Sequence, residues 1–459
     1  MPLDITLDLE RVGTKIIVPE KVTLADAIDY LQRRQEEEEQ VMEVHEVVPA
    51  HPADGALALA KAYERLFGLA NTRGLPGMFG ERPPQMISVE VEYGQTIQVQ
   101  WSGYKVPQID GTLKCAAVPA GNTLHFAITG KVRKKHLHLV KKLADLTRQI
   151  AAAESIYKGK AVILPVDEEG RVDNMNFKFF DIRGASKDNL IFSDSLMEQI
   201  QANVFTPLEH TEACRTNKVP LKRGILLAGK YGTGKTLAAR VTAATAIANG
   251  WTFILVQRVA GLRAAIEVAR MYAPCVVFAE DLDRAVAGDE RTVSIDDILN
   301  IVDGVESKSD ELMLVLTTNH VDRINKAMLR PGRIDALIEV TPPDADAARK
   351  LVRMYGGNLI SADDPLAESG ELLDGQIPAV IAEVVRKAKL YALSRDPNAL
   401  QLTDSDIAGA TRGMEAHLKM MADAIEDNST PEHKLGSALG AIVTDRVAGQ
   451  LQEHERRVH

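Results

Sequence analysis

The sequence predicts an α/β protein: a parallel sheet flanked by helices, followed by a helical lid and preceded by an α+β N-terminal domain. Three observations predict this. From about residue 177, short apolar runs alternate with helical stretches, as strands do when crossover helices bury both of their faces. After about residue 345 only helix signals remain. Between residues 86 and 129, apolar and polar residues alternate and β-branched residues are frequent, the pattern of a small antiparallel sheet.

In chain order, an N-terminal segment (1–46) holds short strand-like pieces and a helix opening at Thr23, whose Glu36–Glu39 run reads as a solvated face. VVPAHPADG (47–55), with two prolines and a glycine, reads as a linker. An α+β domain (56–160) follows: a helix over 56–70, a Gly/Pro-rich loop from Gly74 to Pro84, and strands in MISVEVEYG, TIQVQWSGY and LHFAITG. Its last helix, 131–157, has a basic end at 131–142 containing Lys131, Arg133, Lys134, Lys135, Lys141 and Lys142. That end reads as helix surface, with nucleic-acid contact as the alternative. These first 160 residues are expected to have their own core and to face a partner or substrate.

The large domain (177–345) contains the apolar runs GILLAG (224–229), TFILVQ (252–257), CVVFAE (275–280), LMLVLTT (312–318) and ALIEV (336–340). In the lid (346–425), helices are predicted from Asp344, from Pro378 in a first turn, and from Thr403 as a cap. A tail helix is predicted within 426–459, after the breaker NSTPEH.

Composition bounds the function. A chain of 459 residues exceeds one compact core. Its net charge of −10 disfavours a protein wrapped throughout in nucleic acid. Cys115, Cys214 and Cys275 are too few and too scattered for a disulfide framework or a Cys-rich zinc site. No apolar run approaches the roughly 18 residues of a membrane span, and MPLDITLDLERVG lacks a secretory layout. A cytoplasmic location is expected.

The chemistry is concentrated in GKYGTGKT (229–236), which fits G-x-x-x-x-G-K-[ST] between a strand and a helix. Gly229, Lys230, Tyr231, Gly232, Thr233 and Gly234 form a loop whose backbone N–H groups can cradle phosphates, with Leu237 completing the contact on the helix. Lys235 is placed for the β- and γ-phosphates and Thr236 for Mg²⁺. CVVFAEDLD (275–283) puts two carboxylates at the carboxyl end of an apolar strand, where open α/β sheets bind ligands. Glu280 is the expected Mg²⁺-side carboxylate and Asp281 the base that orients the attacking water.

Together these motifs resemble the AAA clade of AAA+ ATPases, which usually reads GPPGTGKT and an apolar run ending Asp-Glu. The similarity extends through VPLKRGILLAG, APCVVFAED, ILNIVDG, LVLTTN and AMLRPGRID, covering about 177–425. The resemblance implies ATP and Mg²⁺ as cofactors and a ring of subunits, usually a hexamer. It makes Asn319 the sensor of the γ-phosphate or attacking water, and Arg330 and Arg333 the arginine fingers that reach a neighbour's nucleotide. Asp181, Ile182 and Gly184 resemble the segment that contacts adenine.

Several departures qualify the match. The acidic pair is Glu280-Asp281 rather than Asp-Glu, an order also found in the mitochondrial branch that translocates a folded Rieske protein; NLIFSDSLMEQIQANVFTPL is similar to that branch too. The stretch between strands 252–257 and 275–280 holds little more than one helix, with no aromatic pore loop apparent. Lys230 and Tyr231 replace two prolines, and the H-E-x-x-H metalloprotease signature is absent. The leading expectation is an oligomeric ATPase that remodels or translocates a protein client chosen by residues 1–160. The alternatives are a motor acting on nucleic acid through 131–142, and a slowly hydrolysing, ATP-gated scaffold.

Overall fold

A computed structural model describes residues 10–12, 15–17, 22–68, 75–77, 80–109, 111–167, 177–281, 311–319, 334–399 and 401–414. The chain divides into two compact units, Met1–Leu190 with Ser195–Thr341, and Ile191–Asp194 with Pro342–His459.

The first unit opens with the hairpin β1 (Glu10–Val12) and β2 (Lys15–Ile17). Helix α1 (Leu24–Glu39) is capped as expected, the Thr23 hydroxyl accepting from the Asp26 N–H. Strand β3 (Val41–Val48) then leads into α2 (Pro52–Phe67). After the short strands β4 (Leu75–Gly77) and β5 (Gly80–Arg82) come the hairpin β6 (Met86–Glu92) and β7 (Gln95–Gln100) and the short β8 (Gly103–Tyr104). The long pair β9 (Leu113–Ala120) and β10 (Thr123–Arg133) and helix α3 (Leu137–Ala153) complete this part. A four-stranded antiparallel sheet runs β3-β10-β9-β8.

The second sheet has seven strands, ordered β12-β11-β14-β15-β16-β13-β17. They are β11 (Ala161–Ile163), β12 (Lys178–Phe179), β13 (Arg223–Ala228), β14 (Thr252–Val256), β15 (Cys275–Ala279), β16 (Leu312–Thr318) and β17 (Ala336–Glu339). All pairings are parallel except the edge pair β11–β12. Every residue of β14, β15 and β16 is buried, which is why they read as unbroken apolar runs. The short helices α4 (Asp194–Ile200), α5 (Thr206–Glu209) and α6 (Thr211–Thr216) precede β13. Helix α7 (Lys235–Ala248) crosses from β13 to β14, and α8 (Leu262–Met271) from β14 to β15.

Four expectations need correction. The stretch 47–55 is no linker: β3 runs through Val48, Ala50 to Gly55 are buried, and Pro52 occupies the first turn of α2. The boundary at 46 therefore cuts a strand. Residues 131–157 are not one helix, since Lys131 and Arg133 belong to β10. Nor does the N-terminal part keep a core of its own. One apolar cluster runs from Leu59, Phe126 and Leu143 into Ile254, Val277 and Leu316 of the parallel sheet. The polar seam is specific: the Tyr272 hydroxyl after α8 accepts from the His51 N–H and donates to Asp54, each at 3.2 Å.

In the second unit, α9 (Ala345–Gly356) starts at Asp344, whose carboxylate accepts from the Ala347 N–H at 2.8 Å. Helix α10 (Ala367–Leu372) precedes α11 (Pro378–Arg395), which has its proline in the first turn. Helix α12 (404–414) is capped by the Thr403 hydroxyl, which accepts from the Asp406 N–H. Leu351, Leu373, Ile381, Val384 and Ile407 form its core. The predicted tail helix of 426–459 lies outside the described residues.

Candidate nucleotide site

Strand β13 ends at Ala228 and α7 begins at Lys235, so the phosphate loop spans a strand end and a helix N-terminus. The Gly229 N–H donates to the Thr318 carbonyl at 3.0 Å, and a Cβ on Gly229 would meet the Val340 carbonyl oxygen at 2.3 Å. Only glycine lets the loop leave the sheet here. Gly232 and Gly234 have φ of 78° and 103°, backbone that L side chains rarely adopt. The Thr233 hydroxyl donates to the Lys230 carbonyl at 2.9 Å and folds the loop on itself. Lys235 is buried, and its ammonium donates to the carbonyls of Gly229 at 2.6 Å and Lys230 at 2.8 Å. A buried cation held on carbonyl oxygens, above the positive end of α7, suits an incoming phosphate. Thr236 follows it, exposed on the first turn, and Leu237 is half-buried. Lys230 and Tyr231 are exposed on the loop.

The acidic end is built on the neighbouring strands. Glu280 continues the ladder, its N–H donating to the Val256 carbonyl at 3.1 Å. Asp281 leaves it, with a φ of 53°. Its N–H donates to the Thr317 hydroxyl at 3.0 Å, and its carboxylate accepts from the Asn319 amide at 2.9 Å. The end of β16 thus ties both halves together: Thr318 holds the phosphate loop, while Thr317 and Asn319 hold Asp281. Thr317 was not singled out by sequence. Its TTN context was visible, but nothing in a one-dimensional pattern says which strand a hydroxyl will serve.

Asp181 and Ile182 lie in a turn closed by the Ala185 N–H donating to the Ile182 carbonyl at 3.1 Å, with Gly184 left-handed at φ 69°. The Asp181 carboxylate accepts from the Arg183 guanidinium, which holds it down to about 2. Arg240 of α7 donates to the carbonyls of Asp181 at 3.3 Å and Arg183 at 3.1 Å, fastening this turn to the phosphate-loop helix. Arg330 and Arg333 lie outside the described residues. The donor set at Lys235, Thr236 and Glu280 fits a phosphate chain with its divalent cation: one buried ammonium, one exposed hydroxyl and one half-exposed carboxylate.

Fold and site together define a phosphate-loop nucleotide-binding domain, and a helical unit follows it in the chain. Residues 225–342 match the family described as ATPase family associated with various cellular activities (AAA). That match spans the phosphate loop, the acidic pair and Asn319. The chain is 30% identical over 265 residues to the ATP-dependent zinc metalloprotease FtsH of Burkholderia pseudomallei, an alignment covering 53% of this chain and 39% of that protein. It is 31% identical over 221 residues to the 26S proteasome regulatory subunit 8 homolog of Schizosaccharomyces pombe, covering 43% and 53%. It is 27% identical over 285 residues to Protein SAV of Sulfolobus acidocaldarius, covering 57% and 36%. The chain thus spans about a third to a half of these relatives. Among the described residues, no helix is long and apolar enough to cross a membrane.

Proposed function

We propose that this chain is a Mg²⁺-dependent ATPase that assembles into a ring, usually a hexamer in such proteins, and uses turnover to remodel or translocate a protein client. The observation that carries the reading is the convergence of the Lys235 loop with the Asp281–Asn319 pair at the carboxyl ends of β13, β15 and β16. When bound, Mg²⁺ would supply charge neutralisation of the phosphates, with Thr236 and Glu280 as its protein-side ligands. Lys235 would exchange loop carbonyls for phosphate oxygens. Asp281 would orient a water and accept its proton, and Asn319 would hold that carboxylate in place. Leu237, Asp181 and Ile182 would border the nucleotide, and Arg330 and Arg333 would complete a neighbour's site.

A protein client is favoured over nucleic acid for two reasons. The relatives include a metalloprotease and a proteasome regulatory subunit. The basic segment is also partly neutralised, because Arg133 and Lys135 pair with Glu39, and Lys134 with Glu37, all from the acidic run on α1. Glu36, Glu37 and Glu38 remain exposed, as a solvated face should be, while Glu37 and Glu39 also meet the basic segment. The test is phosphate release in the presence and absence of Mg²⁺, in the parent and in Lys235→Ala. The parent should need Mg²⁺, and the variant should lose nucleotide binding and turnover together. A variant that binds and hydrolyses ATP like the parent would overturn the assignment of the phosphate loop.

A further inference from the structure

We infer that Thr317 is a positioning residue for hydrolysis: its hydroxyl holds the backbone of Asp281 in a left-handed turn, and that turn sets the reach of a carboxylate one methylene shorter than glutamate. This rests on the reading of the site as an ATPase. Asp281 is one of the few non-glycine residues with positive φ among those described, at 53°. A non-glycine residue in this conformation is disfavoured and persists when its surroundings hold it there. Here the constraint is visible. Glu280 remains in register with β14, while the next N–H turns to the adjacent strand and donates to the Thr317 hydroxyl at 3.0 Å. Thr317 is buried within β16, so that hydroxyl has a fixed position. Two residues on, Asn319 fixes the carboxylate at 2.9 Å. Backbone and side chain of Asp281 are therefore clamped separately, both from β16. An aspartate that continued the extended strand would present its carboxylate elsewhere.

The experiment compares full-length parent, Thr317→Val and Thr317→Ser for ATP affinity and single-turnover hydrolysis. Valine keeps the branched shape and removes the acceptor, so kcat should fall about tenfold, the effect of one lost hydrogen bond at a positioned group. ATP affinity should stay within about twofold, because Thr317 does not belong to the phosphate loop. Serine keeps the hydroxyl and should restore most of the turnover. Should Thr317→Val fold poorly, Thr317→Ala against Thr317→Ser isolates the hydroxyl, both having lost the methyl. Equal turnover in the Ser and Ala variants would overturn the inference, as would a valine variant with parental kcat. A parent without Mg²⁺-dependent hydrolysis would instead sink the ATPase reading itself, so the two failures are distinguishable.

Discussion

At the scale of single residues, the two carboxylates differ in what holds them. Glu280 is fixed through its backbone on the strand ladder, whereas Asp281 is fixed through both backbone and side chain. Asp281→Asn keeps an oxygen for the Asn319 amide and keeps the turn, but it loses the proton acceptor. ATP affinity should therefore survive while turnover falls by ~10²-fold or more, the usual scale of general-base loss. Glu280→Gln should chiefly raise the Mg²⁺ concentration needed for half-maximal activity. Titrating Mg²⁺ and ATP against both variants checks the assignment, and exchanged phenotypes would exchange the roles. The phosphate loop was legible because its glycines are demanded by backbone geometry that no other residue satisfies, at Gly229, Gly232 and Gly234. The partnership of Asp281 with Thr317 was not legible, because 36 residues separate them and only sheet order brings β15 beside β16.

At the scale of elements, the joint between α2 and α8 carries the most consequential misreading. The prolines of 47–55 suggested a break, yet Pro52 serves the start of a helix, where a missing N–H costs nothing. That helix delivers Asp54 into a buried seam, where its carboxylate accepts from the Ser155 hydroxyl at 2.5 Å, the Ile156 N–H at 3.0 Å and the Tyr272 hydroxyl at 3.2 Å. Burial pushes its pKa up to about 6 despite those three donors. The folded-state value lies above the unfolded 3.8, so folding takes up a proton. The linked stability is full below the unfolded value and is lost as pH rises through about 6. At ~1.36 kcal/mol per pH unit, the difference amounts to about 3 kcal/mol. Asn at position 54 keeps an acceptor for Ile156 and can donate to either hydroxyl. Thermal melts of Asp54→Asn should therefore gain on the parent as pH rises from 5 to 8. A gain that shrinks over that range would contradict the burial argument. Tyr272→Phe should destabilise the same seam by about 1–3 kcal/mol, and more at pH 8 than at pH 5, since it removes both the acceptor of the buried His51 N–H and a donor to the Asp54 carboxylate.

At the scale of the whole molecule, the alternation of strand and helix was enough to expect a parallel sheet, and Asp344, Pro378 and Thr403 marked three helices of the second unit at their first turns. Ion pairing between α1 and the basic segment was not readable, since Glu37 and Lys134 are 97 residues apart and meet through tertiary structure. The assembled state is the remaining large-scale proposal. If Arg330 and Arg333 serve a neighbour's nucleotide, each subunit carries a complete binding site but an incomplete hydrolytic one. Arg330→Ala and Arg333→Ala should then leave ATP binding nearly intact and lower hydrolysis by ~10³-fold or more, the scale of a lost arginine finger. Local damage could mimic that result, so mixing is the better test. A ring combining Lys235→Ala with Arg333→Ala subunits contains some interfaces that pair an intact loop with an intact finger, and activity should partly return. Dilution gives an independent readout: specific activity should fall as subunits separate and recover as they reassemble. Constant specific activity down to concentrations at which sedimentation shows only monomer would sink the shared-site proposal.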